Sequence, residues 1–283
     1  MTPGLRIGFS GATAAFAGVA LAGMLMISPH ARAGDRDDDD DKDPRIKIGF
    51  EIAPVPLNLE DKNRKLVGLG SYIVNAQADC NDCHHGGGFP NFNYALGGNP
   101  YFGQTQVVDP AVYLSGGANF GQVGTPTGPA GYAGPFMIVR NLTPDKNGRP
   151  EGGHTLSEFK QSMRNGKDFD HVHPTCTAEQ LKEIGGGATP NCIPTSPDNP
   201  VRGDLLQFML WPAFSHMTDH DLDAIYEYLS AIPCIDNTTS PGPAGNPNEL
   251  RNDCGTAGAP VDSRIHQFSR QVGPSDAGRK ARR

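Results

Sequence analysis

Apolar side chains recur at helical spacing in only a few stretches of this chain, and caps or breakers bound most of them. Between residues 61 and 78, Leu66, Leu69, Tyr72 and Ile73 fall on one face of a helix. Thr155-Leu156-Ser157-Glu158 has the form of a capping box, with Phe159 and Met163 on the face that follows and Gly166 as the stop. Thr177 predicts a short helix reaching Ile184, ended by the glycines at 185–187. Residues 204–210 predict another, halted by Pro212. The last pattern is the clearest. Thr218 is an N-cap, and Asp219 and Asp221 complement the helix dipole in the first turn. Leu222, Ile225, Tyr226 and Leu229 form the buried stripe, and Pro233 closes it.

Strand patterns are nearly missing. Residues 86–135 are crowded with Gly, Pro and Asn, and predict a long excursion with at most a short hairpin near 107–114. A stretch of this length without periodicity covers a site or binds a partner in most proteins that have one. After Cys234 the chain turns polar and Pro-rich and ends in Arg279-Lys280-Ala281-Arg282-Arg283, a tail too poor in apolar residues to pack unless a disulfide fixes its start. The expected class is therefore all-α, with long Gly/Pro-rich loop insertions.

Cys80-Asn81-Asp82-Cys83-His84 gives the first long helix a chemical purpose. Two thiols spaced CxxC and followed at once by His form the attachment signature of a c-type haem. One helical turn sets the sulfurs at the separation of two vinyl groups, and His84 brings an imidazole under the iron. With six Cys and nine His in 283 residues, chance produces the pattern with probability roughly 0.4%. A zinc ribbon needs a second CxxC, whereas Cys176, Cys192, Cys234 and Cys254 stand singly. A thioredoxin-type dithiol needs a βαβ context that this chain does not predict.

Covalent haem attachment takes place outside the bacterial cytoplasm, and the N-terminus agrees with export. Arg6 precedes an apolar, Ala- and Gly-rich stretch at 7–27, and Ala31-Arg32-Ala33 is a small-x-small cleavage site. The expected organisation is a signal peptide at 1–33, an acidic and Pro-containing linker at 34–58, a monohaem domain at 59–233 and a polar tail at 234–283. The expected location is periplasmic, with membrane contact only through partners or through an uncleaved N-terminal segment. The four remaining cysteines are then free to pair. Cys176 with Cys192 and Cys234 with Cys254 is the most local of three arrangements. The formal net charge is −7, and residues 35–43 alone hold seven Asp against Arg36 and Lys42. That run reads as a solvated linker, without the Gly turn of a calcium loop. The mild remainder argues against nucleic-acid binding.

A helix ending at CxxCH, a middle of short helices and loops, and a C-terminal amphipathic helix together resemble the class I c-type cytochromes. That resemblance implies a crossing of the first and last helices, with Gly70 and Tyr72 against Ala224 and Tyr228. Further along, Gly70-Ser71-Tyr72, Asn141-Leu142-Thr143-Pro144-Asp145, Glu158-Phe159 with Arg164-Asn165-Gly166, and Met217-Thr218-Asp219 leading to Tyr226-Glu227-Tyr228-Leu229 are similar to the cytochrome subunits of bacterial membrane-linked alcohol and sugar dehydrogenases. Those subunits carry several haems and this chain has one CxxCH. The implied role is a single-haem electron carrier, not an enzyme, working between a dehydrogenase donor and an oxidase or cytochrome acceptor.

The sixth iron ligand decides between that role and its rivals. In the family a Met lies on a loop several residues ahead of the last helix, often followed by Pro and an aromatic. Met209-Leu210-Trp211 fits, with Leu210 in the Pro position. Met217 is the runner-up, but a hydrophobic staple onto Leu222 already accounts for it. Met137 and Met163 read as core or loop residues. His85, His154, His216 and His220 read as surface positions, and His171 with His173 as a weaker bis-His or metal alternative. Arg140 and Trp211 are candidates for contact with a haem propionate. An open sixth position would instead suit a haem enzyme, such as a peroxidase or sulfur-compound oxidase, or a gas-sensing module.

Overall fold

Asn63, rather than Asp61, opens the helix that runs toward the CxxCH motif. Its side chain accepts from the backbone N–H groups of Lys65 (3.1 Å) and Leu66 (3.3 Å). The computed structural model describes residues 42–87, 91–123, 128–169, 172–195, 201–236 and 252–255. The expected export segment, most of the acidic run, His171 and most of the tail lie outside these residues. Within them the chain is mostly helical with one small two-stranded sheet, and no described helix is long and apolar enough to cross a membrane.

Helix α1, Pro44–Ile52, lies where the linker was expected to continue. Asp43 caps it by accepting from Arg45 N at 2.9 Å, and Pro44 occupies the first turn, where its missing N–H costs nothing. The helix packs on α2, Arg64–Tyr72. Two glycines make the approach possible, since a Cβ on Gly49 would stand 1.9 Å from Gly68 O. Ser71 donates to Gly49 O at 2.6 Å across the same contact.

The predicted 61–78 helix does not stay α-helical. After Tyr72 it widens into a π turn, Ile73–Gln77, and α3, Cys80–His84, then starts afresh. The opposite face of α2 crosses the last helix, α7, Asp219–Leu229, whose first element of context is the short α6, Trp211–Phe214. A Cβ on Gly70 would meet Ala224 O at 1.9 Å and Tyr228 Cβ at 2.7 Å, so Gly70 sits at the crossing as expected, while Tyr72 is half-buried. Val67, Leu69, Ile73, Val74, Leu222, Ile225, Tyr228 and Leu229 fill the core around it. Thr218 caps α7 with Asp221 reaching back, a reciprocal capping box.

Helices α4, Leu156–Asn165, and α5, Ala178–Gly185, carry the capping boxes Thr155–Glu158 and Thr177–Gln180. Lys160–Asp223 and Arg164–Asp219, both at 2.7 Å, tie α4 to α7. Residues 204–210 are not a helix. Leu205 bridges Lys167 instead, and Pro212, expected as a stop, opens α6 from within its first turn. The strand pair is also elsewhere than expected. β1, Asn119–Gln122, runs antiparallel to β2, Phe136–Ile138, with Asn119 opposite Ile138 and Gln122 opposite Phe136. The extra residue on β1 falls between Asn119 and Gln122, where Gly121 stands at φ +93°. Near 107–114 the chain makes one bridge, Tyr94 to Val108. Cys176 bonds Cys192 and Cys234 bonds Cys254, the most local pairing.

Candidate functional site

The π turn sets the position of the CxxCH segment. Ala78 N donates to Ile73 O at 2.8 Å, five residues back, and the extra residue carries Asn75 into a buried polar group. Asn75 Oδ1 accepts from the Tyr113 hydroxyl at 2.5 Å, the Tyr113 and Tyr228 hydroxyls lie 2.8 Å apart, and Asn75 Nδ2 donates to Ser71 O at 2.9 Å. Asp79, at φ +44°, breaks the helix direction before Cys80. The long excursion then clasps α3. Leu114 N donates to the buried Asn81 Oδ1 at 2.9 Å, Gly116 N to His84 O at 2.8 Å, and Gly86 N to Val112 O at 2.9 Å.

Cys80 and Cys83 remain thiols while Cys176, Cys192, Cys234 and Cys254 are paired. Burial, helped by Asp79 and Cys83, pushes the half-buried Cys80 up to about 12. Burial and then Asp82 raise the exposed Cys83 as well. His84 Nδ1 lies 2.9 Å from Arg140 O. A carbonyl can only accept, so Nδ1 carries the proton and the lone pair belongs to Nε2, the tautomer that a metal requires. Burial lowers the His84 pKa despite this hydrogen bond, which favours the neutral ring.

Two histidines expected at the surface are buried. His85 is 7% exposed and meets the edge of Phe92 at 5.7 Å. A Cβ on Gly87 would lie 1.4 Å from Phe92 O, so only glycine allows that approach. His154 is 6% exposed, with Nδ1 3.2 Å from Glu151 Oε2 and its ring edge-on to Phe169 at 5.5 Å. Glu151 in turn lies 3.7 Å from Arg140, whose guanidinium donates to Asp168 at 2.6 Å. Arg140, expected at a propionate, thus has its guanidinium buried between two carboxylates and offers the site its backbone carbonyl. This cluster joins residues far apart in sequence and carries no local motif, so the chain alone did not announce it.

Met209 is half-buried against the core, between Phe208 and Leu210, which are 53% and 67% exposed. Met217 is half-buried too, directly before the Thr218 cap. Trp211 donates from Nε1 to Leu206 O at 3.1 Å and covers Gly166. Met163 is core, Met137 lies on β2, and His173 bonds Asn191 at 2.8 Å. His216 is exposed and His220 half-buried. No family model matches the chain, and no curated protein or solved structure does either.

Among the described residues, no group of three or more His, Cys, Asp or Glu side chains is placed to hold a bare metal ion. A haem iron makes a smaller demand, since the porphyrin fills four positions and the protein supplies one or two. Two unpaired thiols on one turn, followed by a neutral imidazole with a fixed tautomer, match that donor set.

Proposed function

We propose that this chain is a periplasmic monohaem cytochrome c of the class I type, carrying single electrons between a dehydrogenase and a respiratory acceptor such as an oxidase or another cytochrome. It is a carrier and not an enzyme. Cys80 and Cys83 would form the thioethers, His84 would be the proximal ligand and Met209 the distal one, with Met217 as runner-up. When bound, the haem supplies a one-electron couple. Cys80 and Cys83 would tether the ring, and the Arg140 carbonyl fixes the imidazole of His84. The observation that carries this reading is the hydrogen bond from His84 Nδ1 to Arg140 O, 2.9 Å, directly after a CxxC turn whose thiols are unpaired. Held this way, His84 keeps the tautomer that leaves Nε2 to ligate, and the carbonyl that accepts from its Nδ1 raises its basicity toward iron.

The experiment is expression with a c-type maturation system. A haem stain that survives denaturing, reducing electrophoresis is expected, and its loss in Cys80→Ser/Cys83→Ser. The ferric protein should show the weak near-infrared band of Met-sulfur ligation, absent from Met209→Ala and kept in Met217→Ala. Ready carbon monoxide binding by the unmodified ferrous protein would favour a haem enzyme or gas sensor instead. No covalent stain at all would end the reading.

A further inference from the structure

The contacts that hold His84 and those that hold the segment carrying Met209 converge on three residues. On the His84 side, the acceptor carbonyl belongs to Arg140, and the Arg140 guanidinium is held by Asp168 at 2.6 Å, with both side chains 10% exposed. On the Met209 side, Leu206 N donates to Gly166 O at 2.7 Å, Lys167 bridges Leu205, and Asp168 N donates to Asp204 O at 3.1 Å. Residues 166–168 and 204–206 thus form a short antiparallel ladder, and Asp168 at its end faces Arg140.

The segment that carries Met209 is closed on this ladder. Trp211 Nε1 returns to Leu206 O at 3.1 Å, so residues 206–211 form a small loop with its two ends joined. The Trp211 ring lies on Gly166, where an added Cβ would stand 2.3 Å from the indole. Gly166 has φ +67°, which a side chain rarely tolerates. Phe208 stacks on Phe120 of β1 at 4.5 Å and 28°, which turns it outward, and Leu210 is exposed on the other side. Met209, between them, is the member turned toward the core.

We propose that residues 166–168 are a brace that fixes both axial ligands at once: Asp168 acts through Arg140 on His84, and Gly166 with Trp211 acts on Met209. These are positioning residues. The inference rests on the haem reading above and adds to it a mechanical link between the two sides of the ring. Outer-shell partners of this kind affect ligand affinity by about 10- to 100-fold when lost.

The test uses the haem-loaded full chain. Asp168→Asn and Trp211→Phe are compared with the unmodified protein by near-infrared absorbance, by carbon monoxide affinity of the ferrous form and by thermal midpoint. Both variants should keep covalent haem and a cooperative transition, lose most of the band and bind carbon monoxide about tenfold more tightly. Asp168→Glu, which restores the carboxylate, should recover the band. In the double variant the two effects should not multiply, because one brace is already broken. Folded variants with an unchanged band overturn the brace, and so do effects that multiply as from two independent supports. An unmodified protein without covalent haem, or with haem and no band, overturns the axial assignment first and the brace with it. If Asp168→Asn does not fold, Trp211→Phe and Gly166→Ala decide alone by the same measurements.

Discussion

Arg140 contributes through its backbone, while the charge that makes it conspicuous in the sequence is consumed by Asp168 and Glu151. A buried ion pair of this kind adds little net stability over an apolar replacement, but removing one partner strands a charge, so such clusters resist piecemeal change. Charges at the rim behave differently. Asp43 caps α1, and its hydrogen bond with the Arg45 guanidinium holds the carboxyl below its usual 3.8. A folded value below the unfolded one means that the stabilisation is complete above the unfolded pKa and is lost as pH falls through the folded one. Amide protection in α1, taken relative to the intrinsic exchange rate, should therefore fall as pH drops below 3.8, and in Asp43→Ala, which has no capping oxygen, it should be low already at neutral pH. Equal exchange in both proteins at neutral pH would remove the cap from the account. The same contrast explains which residues could be read from sequence. Cys80, Cys83 and His84 announce themselves by spacing. His85 and His154 were misplaced at the surface, because their burial depends on Phe92 and Phe169 folding over them from loops without periodicity.

Among elements, α2 is the one that others are built around, and its glycines mark where they approach. Gly68 faces α1 and Gly70 faces α7. Gly70→Ala should improve helix propensity by about 1 kcal/mol. It also places a methyl 1.9 Å from Ala224 O, a backbone atom that cannot swing aside. Overpacking of this sort costs about 1–3 kcal/mol, so a net loss of stability is expected in urea denaturation. An unchanged midpoint would mean the crossing is looser than it stands. Helices with strong caps and a clean apolar stripe, α4, α5 and α7, were legible in advance. Helix α1 was not, since nine residues with a glycine in the middle are helical only because α2 shelters them. The 204–210 segment failed in the other direction. Its backbone groups pair with 166–168, a partner that periodicity does not reveal.

For the molecule as a whole, two disulfides fasten what the small core does not reach. Cys234–Cys254 returns the chain to the Asn141–Asp145 segment, where the buried Asn252 side chain donates to Thr143 O at 3.0 Å and Pro144 O at 2.9 Å. With a separation of 20 residues, replacing both cysteines by serine should cost about 3 kcal/mol in denaturant titration. A much smaller loss would show that Asn252 alone holds the return. The π turn at Ile73–Gln77 has a consequence of a different order. A π turn takes in one residue more than an α turn while the turns on either side keep their places. Deleting Asn75 should therefore restore an ordinary helix and leave Cys80, Cys83 and His84 facing as they do. What the deletion removes is the amide that joins the Tyr113 and Tyr228 hydroxyls. The extra residue serves the polar group at the helix crossing and can be drawn out without turning the segment that follows.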